Sequence, residues 1–182
     1  FIQNRQGVIG GTSAGNAILG AYYFGALRGT ISSAAALANP YDASVTLGYA
    51  DFLNAPFLQE VITDTHFNNP DRRGRLMTFM ARLLTDLSLP EIKGIGVEEQ
   101  TAVCIGADGI AQIFGSGSAW FLRSDNLPEQ CVPDKPLHWL ADGQAVEVFV
   151  LNSEAVPDSY FDVSSWAPAV DVPVSYLAVD AG

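Results

Sequence analysis

Ser13 stands in Gly10-Gly11-Thr12-Ser13-Ala14-Gly15, directly after the apolar pair Val8-Ile9. The spacing is G-x-S-x-G, the nucleophile-elbow pattern. In it a strand runs into a tight turn and then a helix, flanking side chains would clash, and the serine hydroxyl stands exposed at the strand end. The amide of Ala14, opening the helix, would point at an oxyanion formed there. A small-residue turn that only packs a helix on a sheet has the same composition. A serine nucleophile needs a base, and the chain holds two histidines, His66 and His138. His66 lies in Asp64-Thr65-His66-Phe67, followed by a loop with Arg72, Arg73 and Arg75, where a charged ligand could be held. His138, in Pro136-Leu137-His138-Trp139, reads as a structural histidine on a strand or its edge. An orienting carboxylate is offered by the adjacent Glu98 and Glu99, and their spacing does not choose between them.

The elements that must position these groups are legible in outline. Val8-Ile9 reads as a short buried strand and Asn16 to Phe24 as a helix packed on a sheet. Ser32 to Leu37 forms a second helical piece, stopped at Asn39-Pro40. Phe57 to Thr63 reads as a strand leading to Asp64-Thr65-His66. Apolar residues at 76, 77, 79, 80, 83 and 84 make one helical face between Gly74 and Pro90. Gly94 to Val97 and Thr101 to Ile105 are strands. With the turn Ala107-Asp108-Gly109, the latter forms a hairpin with Ile110–Phe114. Val146–Leu151 alternates as a further strand, and Pro157, Pro168 and Pro173 break the remainder into short extended pieces. The order is α/β at the front and β-rich behind.

The 182 residues are enough for one domain with a core, and 48% hydrophobic with 16% charged residues is a globular composition. A formal net charge of −11 argues against nucleic acid and anionic membranes as partners. No run of eighteen apolar residues marks a membrane span. Two lysines beside many Trp, Tyr, Asn and Ser lean toward an exported (periplasmic or extracellular) protein. Cys104 and Cys131 permit one disulfide or two unrelated reduced thiols, and neither has a metal-binding or catalytic neighbourhood. No metal-ligand spacing occurs, and no cofactor is implied. An elbow so near residue 1 is expected to follow an amino-terminal portion present elsewhere: residues 1–182 read as one domain, the C-terminal portion of a longer catalytic domain. That portion could be missing, cleaved or a separate chain, and homodimer formation is left open.

Three segments together resemble the cyanophycinase and dipeptidase E family of serine peptidases. The family shows G-G-T-S-A-G, then D-Q-H-F-x-x-R-x-R-x-G-R-L, then G-I-G-I-D-E-x-T-A. This chain has Gly10 to Gly15, then Asp64-Thr65-His66-Phe67 through Gly74-Arg75-Leu76, then Gly94 to Ala102, in that order. The resemblance covers roughly residues 7–115. It implies a doubly wound, flavodoxin-like sheet (class I glutamine amidotransferase-like) with a β-rich C-terminal part. It implies Ser13 as nucleophile, His66 as base and acid, Glu99 as orienting carboxylate and Ala14 as oxyanion donor. Asp64, Thr65, Arg72 and Arg75 would contact a small peptide substrate. The chain departs from the pattern at Thr65 (glutamine in the family), Pro70 (arginine) and Asn16 (alanine), which leaves cyanophycin itself open as substrate. For Arg72 and Arg75, structural pairing with Asp64, Asp71 or Glu98 is the plain alternative.

Two rival functions make different demands. An α/β-hydrolase-type esterase would use Ser13 with His138 and Asp125 or Asp134. A catalytically degenerate family member would bind a peptide or carboxylate ligand without turnover.

Overall fold

The computed structural model describes residues 7–51, 53–152, 160–169 and 172–182. In chain order its strands are β1 (Tyr22–Phe24), β2 (Leu47–Tyr49), β3 (Val61–Thr65), β4 (Ile92–Val97), β5 (Thr101–Ile105), β6 (Ile110–Gly115), β7 (Ser118–Ser124) and β8 (His138–Trp139). There follow β9 (Val146–Asn152), β10 (Tyr160–Asp162), β11 (Ala167–Pro168), β12 (Ser175–Leu177) and β13 (Val179–Asp180). The helices are a 3₁₀ turn over Ser13–Ile18, α1 (Ser33–Ala38) and α2 (Arg73–Leu87), with a short 3₁₀ turn at Ala141–Gly143.

Seven strands form the main sheet in the order β12-β9-β7-β4-β3-β1-β2. Only β1, β3 and β4 run parallel; the other pairs are antiparallel. Alternation along each strand divides the core into two layers. Ile62, Ile92, Leu122, Val146 and Val148 pack with α2 residues Leu76, Phe79, Met80 and Leu84, while Val61, Ile95, Phe121, Phe149 and Leu151 pack with Ile113 and Phe161. The second layer is a four-stranded sheet, β11-β10-β6-β5, built on the expected hairpin. Stacked Phe121 and Phe161 rings, with centroids 3.9 Å apart, join the two sheets.

The α/β class therefore holds, but the doubly wound layering does not among the described residues. Both α-helices pack on one face of the main sheet, and the other face is covered by the small sheet. The physical reason is the hydrophobic pattern after residue 100. There period-2 alternation replaces helical period, so the chain supplies strands where a doubly wound fold needs helices.

α1 begins where expected, with the Ser32 hydroxyl accepting from the Ala35 amide, and ends before Pro40. α2 starts at Arg73, so Gly74 lies inside it, and Ser88 in the left-handed region closes it. Two front-end expectations fail. Val8-Ile9 is not a strand, and Val8 is 97% exposed. The stretch from Asn16 to Phe24 is not one helix: the 3₁₀ turn ends at Ile18 and the aromatic residues Tyr22-Tyr23-Phe24 enter the sheet as β1. β-propensity of aromatic residues beside Gly20 outweighs the helical spacing there. The strand expected from Phe57 begins only at Val61, after a turn in which Phe57 has φ +65°.

Cys104 and Cys131 are both free. Cys104 is exposed on β5 in the small sheet, whereas Cys131 is buried in the helix-side core. The main sheet lies between them, which excludes a bridge in this fold.

Candidate active site

Parallel strands present their carboxyl ends to the loops that carry chemistry, and here two such loops meet the Ser13 turn. β3 ends at Thr65, so His66 is the first residue beyond it; β4 ends at Val97, followed by Glu98 and Glu99. The in-register pair Thr65–Val97 sets the two loops side by side. The Ser13 turn is tied to β3 by Asn16, whose side-chain amide donates to the Asp64 carbonyl at 3.1 Å. The Thr63 hydroxyl in turn donates to the Asn16 carbonyl at 2.6 Å. Asn16, which departs from the family pattern, thus fixes the serine turn to the strand that leads to the histidine.

The turn is tight, although no strand leads into it among the described residues and a 3₁₀ segment follows it. Ser13 adopts φ +51°, and the Gly15 amide donates to the Thr12 carbonyl at 2.9 Å. A Cβ at Gly11 would lie 2.3 Å from the Gly15 backbone, so only glycine fits there. Position 15 differs from expectation: a Cβ there meets nothing within 4 Å, so its glycine is not required by contact.

Ser13 Oγ lies 3.0 Å from His66 Nε2, and His66 Nδ1 lies 3.0 Å from Glu99 Oε1. His66, with φ +52°, holds a left-handed conformation of the kind found at constrained functional positions. The histidine and glutamate side chains are 35% and 41% exposed, so the group is open to solvent. His66, then Asn69, hold the Glu99 carboxyl below the usual glutamate range through their hydrogen bonds. Glu98 is otherwise occupied. Its oxygens accept from the Ser118 amide at 2.9 Å and the Trp120 indole at 3.0 Å. Of the two adjacent carboxylates, Glu99 is the one that meets His66.

The arginine-rich loop divides into different roles. Arg75 is buried and donates through Nε to Asp64 Oδ2 at 2.8 Å, with a second bond from Nη2 to Oδ1. Thr30 accepts from its remaining terminal nitrogen, and the Phe24 and Phe79 rings flank the guanidinium at 5.3 and 5.8 Å. Asp64 and Arg75 thus form the structural pairing rather than an open substrate contact. Arg73 pairs with Asp71, pulling that carboxyl below its ordinary value, and lies over the Trp120 ring. Arg72 forms no ion pair among the described residues and donates to the Thr65 carbonyl at 3.2 Å. Burial, then the charge of Arg75, hold its guanidinium below the ordinary value. Thr65 itself is buried in β3. Ala14 follows Ser13 in the first turn of the 3₁₀ segment.

The esterase arrangement is not assembled. His138 pairs with Asp180 at 2.8 Å in the two-stranded β8–β13 sheet, and Asp134 accepts from the Asn39 side chain. Asp125 lines a polar cavity of about 360 Å³ with Glu91, Arg123 and Glu147, at the opposite end of β4 from Glu99. Among the described residues no group of three His, Cys, Asp or Glu could hold a metal, and no helix is long and apolar enough to cross a membrane.

An imidazole bonded on one side to a serine hydroxyl and on the other to a carboxylate, at strand ends of an α/β sheet, has the geometry of the Ser-His-acid class of hydrolase sites. No family model matches the chain. It is similar to the cyanophycinases of Trichormus variabilis and of a Nostoc species, 32% identical over 126 residues, which is 69% of this chain and 37% of each relative. The cyanophycinase of Geminocystis herdmanii is 35% identical over 111 residues, 60% of this chain and 34% of that protein. The chain is cyanophycinase-like, and it spans little more than a third of these relatives' length.

Proposed function

We propose that this chain carries the catalytic triad of a serine-type peptidase that cleaves peptide or isopeptide bonds next to aspartyl residues. The observation that carries the reading is the continuous hydrogen-bonded path from Ser13 through His66 to Glu99. The similarity to the cyanophycinases of Trichormus variabilis, a Nostoc species and Geminocystis herdmanii supports the hydrolase class of the reading. Of the finer fold reading, what supports the site is the parallel core β1-β3-β4 with the site at its carboxyl ends.

In the reaction, Ser13 Oγ attacks the substrate carbonyl while His66 Nε2 takes its proton. The carbonyl π electrons move to oxygen, and the Ala14 amide stabilises that oxyanion. His66 then gives the proton to the departing amine as the carbon–nitrogen bond breaks. Water, deprotonated by the same imidazole, releases the acyl group and restores Ser13. Throughout, Glu99 holds Nδ1–H and stabilises the imidazolium. Arg72 is the cation that would pair with a substrate carboxylate, because Arg73 and Arg75 are already neutralised by Asp71 and Asp64.

The test is reaction with a fluorophosphonate, followed by hydrolysis of short α- and β-linked aspartyl peptides. Labelling that maps to Ser13, disappears in Ser13→Ala and His66→Ala, and is matched by peptide turnover supports the reading. A folded chain whose Ser13 stays unlabelled overturns it in favour of a binding protein.

A further inference from the structure

Glu99 is exposed, at 41% of its side-chain surface, so packing does not hold its carboxylate against His66. Something else must, because an exposed glutamate has three rotatable bonds and a free choice of water partners. The loop after β3 supplies it. The Asn69 side-chain amide donates to Glu99 Oε2 at 3.3 Å, the oxygen that His66 leaves unused. The side-chain Oδ1 of the neighbouring Asn68 accepts from the Glu99 backbone amide, also at 3.3 Å. The clasp is anchored at both ends. The Phe67 amide donates to the Val97 carbonyl at 3.1 Å, and the Asn69 amide returns to the His66 carbonyl at 3.3 Å. Under it, the Phe67 ring occupies the space a Cβ at Gly96 would need, with ring carbons 2.7 Å from that position. Phe67 also meets Trp120 edge-on at 5.6 Å, and Trp120 is the partner that occupies Glu98.

We infer that Asn69 is a positioning residue for the proposed triad, fixing Glu99 by its second oxygen so that the first faces His66 Nδ1. Asn69 falls at an unspecified position of the matched stretch, between His66 and the arginines to which its roles were given, so the pattern assigns it nothing. The chemistry follows from the two-sided use of one carboxylate. With Oε2 held by a neutral donor, Oε1 keeps its hydrogen bond to Nδ1–H, and the proton from Ser13 arrives at Nε2 of a correctly oriented ring. A neutral amide performs this holding without adding charge beside the imidazole. The charged groups around it are Arg72 near Glu99, Arg73 and Asp71 paired on the same loop, Glu98 bound to Trp120, and Asp64 bound to Arg75.

Asn69 is exposed, so substitutions there leave the fold intact. The experiment follows fluorophosphonate labelling of Ser13 against pH in the whole chain for wild type, Asn69→Ala and Asn69→Asp. In parallel, ¹⁵N NMR follows the His66 ring, with His138→Asn separating the two histidines. Asn69→Ala is expected to lower the labelling rate about tenfold, the scale of one hydrogen bond to a charged group, and to move the acid limb of the profile down. Asn69→Asp adds a negative charge beside the imidazole and moves that limb up. Opposite movements distinguish positioning from mere support of the loop. The inference is overturned when both variants keep the wild-type profile, or when both profiles move the same way. It rests on the peptidase reading only for its rate: His66 ring signals that respond oppositely in the two variants, in a chain whose Ser13 never labels, support the clasp and refute the peptidase.

Discussion

Removing Arg75 tests whether the Asp64–Arg75 pair is a structural strut or a substrate contact, and the structure sets the size of the effect. In Arg75→Met the apolar volume beneath Phe24 and Phe79 is largely retained, but Asp64 loses both guanidinium bonds. Its carboxylate is 1% exposed and keeps one donor, the Thr65 amide at 2.8 Å. Breaking a buried pair from one side costs about 3–5 kcal/mol, because a charge stays behind without its partner. In a chain of this size each kcal/mol lowers Tm by roughly 2–4 °C, so the variant should melt about 6–20 °C below the parent. The doubly substituted Asp64→Leu/Arg75→Met, with no charge left to strand, should recover most of that loss. Thermal and urea unfolding followed by tryptophan fluorescence measure both quantities. The folded fraction of Arg75→Met should bind substrate with an unchanged KM. A Tm within about 2 °C of the parent, combined with a large rise in KM, would refute the strut.

Four further outcomes follow from single observations. Ser13→Gly should abolish labelling yet stabilise the chain by roughly 0.5–1 kcal/mol in urea unfolding, because φ +51° costs serine and not glycine. Gly11→Ala must displace the Gly15 backbone, 2.3 Å from the new Cβ, and should lose Ser13 labelling at retained secondary structure by circular dichroism. Ellman's reagent should titrate Cys104 rapidly in the native chain and Cys131 only on unfolding. Burial raises the Cys131 thiol to about 11 from its ordinary 9, so its contribution to stability is present below pH 9 and is lost between pH 9 and 11. Burial and the Asp86 hydrogen bond likewise push Tyr41 up to about 12, so ultraviolet titration should show its ionisation after that of ordinary tyrosines.

What could be read from the residues alone was whatever local spacing encodes. The α2 face, the β5–β6 hairpin and the Ser32 and Asn39-Pro40 limits of α1 are products of period, turn chemistry and capping within a few residues. The front end was misread because Val8-Ile9 and Tyr22-Tyr23-Phe24 are ambiguous over such short windows. Which side of the sheet they meet is decided by tertiary contacts. The layering on the second face was also out of reach, since it depends on how the strands after residue 100 return to cover β4 and β7. At the site, the serine and histidine were legible as motifs. Glu99 rather than Glu98 was legible only through the family resemblance and not from spacing, because Trp120 and Ser118, some twenty residues downstream, capture the other carboxylate.

The arginines carry that argument to its consequence for specificity. Arg72, Arg73 and Arg75 are chemically alike and lie within four positions, yet one turn of α2 gives each a different environment. Arg75 points into the helix-side core, where a guanidinium survives only with a carboxylate, and Asp64 at the end of β3 is placed to meet it. Arg73 lies over the Trp120 ring at the helix start and takes Asp71, two residues earlier, as its partner. Arg72, at the helix cap, makes no ion pair among the described residues and has a backbone carbonyl and the fields of Asp64 and Glu99. A cation near the proposed triad's carboxylate and without an ion-pair partner among the described residues is the one that can exchange its hydration for a substrate carboxylate. On the proposed reading the loop offers one anion contact where its sequence displays three. Substrates bearing a single carboxylate near the scissile bond should lose most from Arg72→Ala, in KM, while Arg73→Ala leaves KM close to that of the parent. Equal losses in both variants would show that Asp71 releases Arg73 when substrate binds.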